Sequence, residues 1–356
     1  MGSDINLIHF PIHHIIFSQL YFLSDSVQNY LSFYFYFSLV IPFLFYLNLV
    51  QIFKDIDKKV LILISSLIYI FPTFQYTAIW GNSHITSLFF FLIGTLYHLK
   101  FRESNFDKKI YFFVSIIFLT LAAYTKQYYV FFFLFIFLEF FLKLKLKTFL
   151  LFSTFTFLLS IPGFLFLIEN PLVFFGVKQK TTNFVSSILI SSSICFFYIV
   201  PILVQFVIND FKNLKNTYKK IFDLKIFIIS LIILFSIIPL FYYDSKIGGG
   251  IIYKLFVNVL NQKSLFFISS FFGIYFTLFF TQKNIYSYLL SLLILITFST
   301  GYFIFQKYFE PMFFIILLLY FDKIKIEKSI NKNNHFSIIY FLSYYLIANY
   351  IYFLGV

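Results

Sequence analysis

Charged residues are scarce in this chain. Asp, Glu, Lys and Arg make up 12% of its 356 residues, against about 25% in typical soluble domains. The chain also has a single cysteine, Cys195, which excludes an intramolecular disulfide framework and argues against a cysteine metal cluster. These shortages argue against a soluble domain and point to a chain that lies in a membrane.

Hydrophobic residues are abundant instead. The chain is 61% hydrophobic and contains 61 Phe and 28 Tyr. We interpret this excess as the product of an AT-rich genome that fills lipid-facing positions, and not as an aromatic binding code. The net charge of +13 would suggest nucleic acid as the partner of a soluble protein. Here the positive loops follow the topology rule for membrane proteins, so we expect no nucleic-acid partner.

Six short basic stretches interrupt the apolar sequence, near residues 54, 100, 143, 212, 282 and 322. Each interval between them has room for two membrane crossings of about 20 residues. This regular doubling places all six on one side of a bilayer. It predicts an all-α polytopic transmembrane bundle of about twelve spans, forming a single integral membrane domain over 1–356. We expect spans near 30–51, 60–78, 85–99, 110–125, 127–142, 148–168, 184–208, 226–242, 264–281, 285–299, 302–321 and 336–354.

The distribution of lysine and arginine orients the chain. With the basic loops in the cytoplasm, 20 of the 27 Lys and Arg lie inside, as the positive-inside rule requires. The N-terminus is then outside, although residues 1–29 contain no cleavable signal peptide. We therefore expect a first transmembrane helix to be missing upstream of Met1. The predicted location is the bacterial inner membrane, with the active site outside.

The external segment 1–29 carries four candidate site residues, Asp4, His9, His13 and His14. The spacing of the histidines is compatible with one helix face, which makes a metal site one alternative. Pro11 interrupts that helix and no HExxH pattern follows, so histidines that hydrogen-bond substrate or backbone at the membrane interface are favoured.

Two external turns supply further candidates. Asn82 and His84 follow the chain's single tryptophan, and this turn is either a capped helix connection or the border of a polar substrate pocket. Lys126 and Gln127 lie where two short apolar runs meet. An isolated ammonium at this depth either extends to the lipid surface or binds an anion such as phosphate.

The remaining candidates lie towards the C-terminus. Asp244 and Lys246 belong to an external loop over 243–263, whose three consecutive glycines suggest a flexible segment that closes over substrate. Lys307 and Glu310 fall in the outer half of an apolar span. Their i, i+3 spacing would let them neutralise one another on one helix face, as a structural pair or as part of a site.

Four stretches of this sequence, in this order, resemble the integral membrane glycosyltransferases of the GT-C fold. They are IHFPIHHIIFSQL (8–20), FPTFQYTAIWGNSHITSLFFFLIGTLYHLKF (71–101), LAAYTKQYYVFFFLF (121–135) and FQKYFEPMFFIILLL (305–319). The second and third are also similar to the dolichol-pathway alpha-1,2-glucosyltransferase. The resemblance implies a polyprenyl-phosphate-linked sugar donor, a lipid-linked or other glycan acceptor, and contact with membrane lipids.

The resemblance also assigns roles. It places the segment around His9 near a substrate head group, Lys126 against the lipid phosphate, and Lys307 as a second cation at the outer mouth. The family's catalytic acid follows the first transmembrane helix, often in a DE or DD pair, which this sequence does not have there. Either Asp4 is the base, or the base lies upstream of Met1 in a missing segment, which is slightly favoured. The implied chemistry is inverting transfer with a carboxylate base; no cofactor is certain, and a divalent metal is optional.

Three other classes compete with this interpretation. An O-antigen-type polymerase would favour a large external loop with arginines, but the single arginine, Arg102, falls on the predicted cytoplasmic side. A lipid-linked oligosaccharide flippase would spread charges over both leaflets, whereas the charges predicted here lie towards one face. A secondary transporter would show inverted repeats, and the sequence shows no clear repeat.

Overall fold

A computed structural model of the protein describes residues 12–23, 26–170, 184–209, 222–243, 248–281, 284–297, 304–330 and 335–353. Throughout these residues the regular elements are helices, which confirms the all-α prediction. The predicted site residues Asp4, His9, Asp244 and Lys246 lie outside the described residues. Met1 lies outside them too, so the expectation of a further helix and a catalytic base upstream of Met1 stays a prediction.

The described α-helices differ widely in length, from four to 26 residues. In chain order they are α1 Ile12–Leu23, α2 Val27–Ser38, α3 Val40–Ile52, α4 Lys58–Ser66, α5 Pro72–Ile79, α6 Ser83–Glu103, α7 Lys109–Thr125, α8 Val130–Lys143, α9 Leu146–Glu169, α10 Phe184–Asn209, α11 Leu224–Ile237, α12 Gly250–Tyr253, α13 Lys263–Phe280, α14 Ile285–Ile296, α15 Gln306–Phe309, α16 Met312–Tyr320, α17 Lys323–Ile330 and α18 His335–Phe353. Short 3-10 segments at Leu67–Ile70, Gln127–Tyr129 and Ile238–Leu240, and a π-helical segment at Lys254–Val259, lie between them.

The described helices do not match the predicted count of twelve spans. Four segments are long and apolar enough to cross a membrane: Val27–Ile52, Leu146–Glu169, Val185–Asn209 and Lys263–Phe280. A fifth is obtained if the bent pair Lys58–Ile70 and Pro72–Ile79 counts as one span. Several other expected spans form helices well short of the roughly 20 residues that a bilayer requires, such as α14 with 12 residues and α16 with nine.

The break between the two helices of the bent pair has a local cause. The axes of Lys58–Ile70 and Pro72–Ile79 differ by 66°. Phe71 between them has an extended backbone, with φ −70° and ψ 122°. A residue that precedes proline is disfavoured in the helical region, because the proline ring clashes with it. Pro72 therefore ends one helix and begins the next.

The chain divides into two compact units. Unit 1 contains residues 1–54 and 74–178, and unit 2 contains residues 55–73 and 179–356. The prediction of a single membrane domain remains a prediction.

In unit 1, α6 and α7 form an antiparallel hairpin. Tyr97 packs on Tyr111 and Phe101 on Phe112 near the connecting loop, with ring centroids 6.0 Å apart in both pairs. Midway along the hairpin the Ser115 hydroxyl donates to the Gly94 carbonyl at 2.8 Å. Both helices are apolar on the faces that meet, so the hairpin positions the residues at its open end, where α6 begins and α7 ends.

Lys54, at the start of the first basic stretch, and the whole of the second and third stretches lie at one end of unit 1. Lys54 forms an ion pair with Glu103 at the end of α6. Phe140, near the end of α8, packs on Phe101, which brings Lys143–Lys147 towards the same loop. We call this the basic end of unit 1: Lys54, 100–109 and 143–147. Its composition agrees with the prediction that these stretches share one side.

Unit 2 is built around a close contact between α10 and α13. A Cβ atom on Gly273 of α13 would overlap the backbone of Ser192 on α10. The Ser270 hydroxyl donates to the Leu189 carbonyl at 2.9 Å across the same contact. Membrane helices associate through small residues of this kind, because lipid provides no hydrophobic drive for helix packing. The contact explains why α10 is 72% buried over its candidate span.

Candidate functional site

The open end of the α6–α7 hairpin begins with a tight turn at Gly81 and Asn82. Gly81 has a left-handed backbone, φ +61°, which glycine adopts at little cost. The Asn82 side chain then accepts a hydrogen bond of 3.2 Å from the backbone N–H of His84. This is the N-terminal cap of α6 that the sequence predicts. It fixes the direction in which α6 leaves the turn.

His84, in the first turn of α6, contacts Tyr128. Its Nδ1 lies 3.0 Å from the Tyr128 hydroxyl, and the two rings stack with centroids 6.1 Å apart. Tyr128 belongs to the 3-10 segment Gln127–Tyr129, which follows the end of α7. The sequence proposes His84 and Gln127 separately; the structure brings their two segments into contact.

His13 of α1 joins the same end of unit 1. Its Nδ1 lies 2.9 Å from the Thr86 hydroxyl, and that hydroxyl is 3.1 Å from the phenol of Tyr34. The Tyr34 phenol also donates to the Asn82 carbonyl. His13 is therefore buried within a hydrogen-bonded network, whereas His14 beside it is exposed.

The His13 imidazole is neutral at physiological pH. Burial lowers its pKa to about 4; the charges of His14 and Lys126 lower it as well, and a hydrogen bond with the Gly81 backbone acts in the opposite direction. A neutral imidazole offers one donor and one acceptor and adds no charge to the site.

Lys126 supplies the cation of this site. It caps the end of α7 with an extended backbone, φ −142° and ψ 116°, and its N–H donates to the Ala122 carbonyl at 2.9 Å. The residue is 7% exposed, so its ammonium is shielded from solvent, which strengthens its attraction for an anion. Its proximity to His13 is evident from their electrostatic interaction.

These residues form one polar group, which we call the end cluster. Sequence reasoning identified five of its members and missed Tyr34, Thr86 and Tyr128. Tyrosines are too common in this chain for their pattern to be informative, and Thr86 has no distinctive neighbours. The cluster consists of His13, Tyr34, Asn82, His84, Thr86, Lys126 and Tyr128, together with Gln127, which lies between Lys126 and Tyr128 in the chain. A cation in the same cluster as hydroxyl and imidazole groups suits an anionic, hydroxyl-rich ligand.

A second charged group lies near the basic end of unit 1. Glu139 of α8 is 1% exposed, and its Oε1 lies 2.7 Å from Nε of Arg102. Its Oε2 lies 3.1 Å from Nε2 of His98, which is fully buried. Sequence reasoning missed this group, although the i, i+4 spacing of His98 and Arg102 on α6 was a usable signal. It ties α6 to α8.

In unit 2, Glu310 is a buried carboxylate with three donors. Its Oε2 accepts hydrogen bonds from the phenols of Tyr198, at 2.8 Å, and Tyr344, at 2.9 Å. Its Oε1 accepts one from the backbone N–H of Thr73 at 2.9 Å. Glu310 lies outside the candidate spans, and burial raises the pKa of its carboxyl to about 7, while the hydrogen bonds from Tyr198, Thr73 and Tyr344 lower it.

The expected pairing of Lys307 with Glu310 is wrong. Helix α15 ends at Phe309, and Glu310 has an extended backbone, so the two side chains do not share a helix face. The Lys307 ammonium lies instead over the rings of Phe305, 4.7 Å from its centroid, and Tyr308, at 5.9 Å. Cation–π contacts of this kind hold the ammonium at an aromatic surface.

The glycine-rich stretch of the predicted external loop packs within unit 2. The Gly249 N–H donates to the Ile304 carbonyl at 2.8 Å. The Gln306 side chain accepts from the Ile251 N–H at 3.2 Å and donates to the Tyr198 phenol at 3.1 Å. Ile251, at the start of the helix that follows the glycines, is therefore linked through Gln306 and Tyr198 to Glu310.

A divalent metal finds no evident site in the described part of the chain. Nowhere in it do three or more His, Cys, Asp or Glu side chains come together as metal ligands. The end cluster offers the neutral imidazole of His13 and the cation of Lys126, which are a poor donor set for a divalent ion that prefers carboxylates.

Comparison with known proteins adds no relative. No family model, curated protein or solved structure matches this chain.

Proposed function

We propose that this chain is a membrane glycosyltransferase of the GT-C type, which takes a sugar from a polyprenyl-phosphate donor at the extracytoplasmic face. The observation that supports it best is the buried Lys126 within the end cluster. It lies at the end of the α6–α7 hairpin opposite the basic end. If the basic end is cytoplasmic, the cluster faces the outer surface, where a lipid-linked donor presents its head group.

In this proposal the cluster binds the donor's phosphate and sugar. Lys126 contacts the phosphate and stabilises the charge that develops on it as the sugar leaves. His13 is neutral and adds no second positive charge to the site. His84, Gln127 and Tyr128 provide donors and acceptors that match sugar hydroxyls. The lipid-linked or other glycan acceptor contributes the attacking hydroxyl.

Proton removal from that hydroxyl requires a general base, and the resemblance implies that this base is a carboxylate. Within this sequence we assign it to Asp4, the acidic residue nearest the His13 segment. Glu310 is a weaker candidate because its two oxygens already accept three hydrogen bonds within unit 2. The substrate-binding roles expected from the sequence for Lys307, Glu310, Asp244 and Lys246 stay predictions.

The proposal is tested by transfer and binding assays on the full chain in liposomes. Radiolabelled polyprenyl-phosphate sugars provide donors, and scintillation proximity measures binding of polyprenyl phosphate. Lys126→Ala removes a charged hydrogen bond worth about 1.5–3 kcal/mol, so binding should weaken about 10- to 100-fold. Lys126→Arg keeps the positive charge and should retain part of the binding affinity.

Lys145→Ala is the matched control, because Lys145 is exposed and lies at the basic end of unit 1, away from the end cluster. It should bind and transfer like the wild type. Equal binding by Lys126→Ala and the wild type would remove the phosphate role. Tight binding without transfer from any labelled donor would instead favour a flippase or polymerase.

A further inference from the structure

Unit 2 contains a buried carboxyl group whose partners are neutral. Glu310 is 3% exposed, and none of the ion pairs among the described residues includes it. A carboxylate that is buried without a positive partner is costly, because water no longer solvates its charge. Uptake of a proton removes that cost, so this position favours a carboxyl group that binds and releases a proton.

The titratable groups that face this carboxyl are tyrosines. Tyr198 of α10 and Tyr344 of α18 donate to the Oε2 of Glu310 at 2.8 and 2.9 Å, and Tyr340 lies one turn before Tyr344. The ammonium of Lys307, on α15, lies over two aromatic rings. Burial raises the pKa of the Glu310 carboxyl to about 7, while the hydrogen bonds that it accepts lower it. Proton binding therefore falls in the physiological range.

A chain of hydrogen bonds runs from Glu310 to the backbone that follows the triple glycine. The Tyr198 phenol donates to the carboxylate and accepts from the Gln306 side-chain amide at 3.1 Å. The Gln306 side-chain oxygen accepts from the Ile251 N–H at 3.2 Å. We call these four residues the Glu310–Ile251 relay. Its two middle members donate towards Glu310 and accept from the Ile251 side, so the direction of one hydrogen bond determines the direction of the next.

The backbone at the far end of the relay is permissive. The glycines at 248–250 have φ values of +83°, +81° and +73°, in the left-handed region that glycine adopts at little cost. The Gly249 N–H donates to the Ile304 carbonyl at 2.8 Å, and the bond from Ile251 to Gln306 follows two residues later. Loss of the Ile251 bond would therefore release a segment that rearranges easily.

We propose that Glu310 is a reversible proton-binding site whose occupancy controls the backbone at Ile251. A protonated carboxyl gains an O–H donor, which at Oε2 meets the phenol that now donates to it. Tyr198 then accepts this O–H and turns its own hydrogen towards Gln306, whose amide rotates to present its oxygen. The Ile251 N–H is left facing the amide NH₂ and loses its acceptor. The proton comes from water and stays on Glu310; only the donor directions change along the relay.

Proton uptake also stabilises unit 2. The pKa of the Glu310 carboxyl is about 7 in the folded chain, above the ordinary 4.5, so between these values the folded chain binds more protons than the unfolded chain. The stabilisation is complete below pH 4.5 and is lost as the pH rises through 7. A proton at Glu310 has this effect whatever reaction the end cluster of unit 1 supports.

Infrared spectroscopy of the full chain in lipid nanodiscs tests proton binding. A protonated carboxyl absorbs apart from a carboxylate, and the Glu310 signal is the band that Glu310→Gln lacks. It should appear as the pH falls, with a midpoint at about 7. Glu327→Gln, on α17 of the same unit, is the matched control and should retain the band. A midpoint at the ordinary pKa of 4.5, or no band specific to Glu310, would overturn the proton site.

Hydrogen–deuterium exchange of the unmodified chain tests the relay. Exchange in a peptide that covers 248–256, corrected for the intrinsic effect of pH, should rise several-fold as the pH falls below 7. Peptides of α13 should not follow, because proton uptake stabilises unit 2 as a whole. A corrected rate that is independent of pH at 248–256, or an equal rise in α13, would overturn the relay. Should Glu310→Gln fail to fold, this measurement decides.

A pair of variants separates the two phenols. Tyr198→Phe removes the hydroxyl between Glu310 and Gln306, so exchange at Ile251 should no longer follow pH. Tyr344→Phe removes a hydrogen bond of similar length to the same oxygen but leaves the relay intact, so the response should persist. Glu310→Gln, whose amide donates as a protonated carboxyl does, should show the faster exchange at every pH. A response lost in both phenylalanine variants, or in neither, would overturn the role of Tyr198.

Discussion

The phenol of Tyr198 donates a hydrogen bond of 2.8 Å to the carboxylate of Glu310, 112 residues away in the sequence. Both residues are buried in unit 2, at 0% and 3% exposure. The same carboxylate accepts from Tyr344 and from the Thr73 backbone. One side chain therefore connects segments from the start, the middle and the end of unit 2, and its removal should weaken that unit as a whole.

We predict that Glu310→Ala destabilises unit 2. It leaves two buried phenols and one buried N–H without their acceptor, at a cost of about 1–3 kcal/mol for each. Glu310→Gln keeps an acceptor oxygen and should cost far less. The readout is the reaction of Cys195 with a thiol dye during heating, because this single cysteine is fully buried in α10. Glu327→Ala, on α17, is the control; equal melting of Glu310→Ala and this control would contradict the prediction.

Two glutamates of unit 1 should respond very differently to removal. Glu139→Ala leaves Arg102 and buried His98 without their carboxylate, and breaking a buried pair in this way costs about 3–5 kcal/mol. Glu103→Ala removes an exposed pair with Lys54, worth about 0–1 kcal/mol. Trp80 fluorescence during thermal unfolding in detergent measures both. A similar loss of stability in the two variants would mean that the His98–Arg102–Glu139 group stabilises unit 1 no more than the Lys54–Glu103 pair does.

The contact between α10 and α13 should not accept a larger residue at position 273. Gly273→Leu forces a side chain into the backbone of Ser192, so the helices must separate and lose the Ser270 hydrogen bond. We expect exposure of Cys195 to the thiol dye at a markedly lower temperature. Gly163→Leu is the control: it alters unit 1 and should not change the temperature at which Cys195 of unit 2 becomes exposed to the dye. A Gly273→Leu protein with an unchanged transition would show that the contact is looser than described.

Stability should fall with acid through His13. Its pKa is about 4 in the folded chain, below the ordinary 6.5, so between these values the unfolded chain binds more protons. The contribution of the neutral His13 to the free energy of unfolding is therefore complete above pH 6.5 and is lost as the pH drops towards 4. His13→Asn should flatten the pH dependence of Trp80-detected unfolding in that window. His14→Asn, at an exposed position, should keep most of the slope; the reverse order would contradict the burial of His13.

Sequence patterns were sufficient to predict the all-helical fold class and part of the end cluster. The cap at Asn82 follows local rules, and the ammonium of Lys126 is conspicuous in an apolar stretch of sequence. The grouping of Lys54 with the second and third basic stretches at one end of unit 1 was predicted from the charge of the loops alone. These features depend on neighbours along the chain, or on a rule that needs no tertiary contact.

Other features depend on distant contacts and were missed or wrong. The twelve-span estimate treated every apolar run as a crossing, whereas the bend at Pro72 and short helices such as α16 follow from packing. The Lys307–Glu310 pair assumed a continuous helix that in fact ends at Phe309. Tyr198 and Tyr344 could not be singled out as partners of Glu310, because they are two of 28 tyrosines.

The glycine at position 273 also sets a limit on how the α10–α13 contact can change. The chain holds 61 Phe but only 11 Gly, so bulky side chains are common along it. At this contact the backbone of Ser192 leaves no room even for a Cβ atom. Alanine, the smallest replacement, would therefore already push the two helices apart.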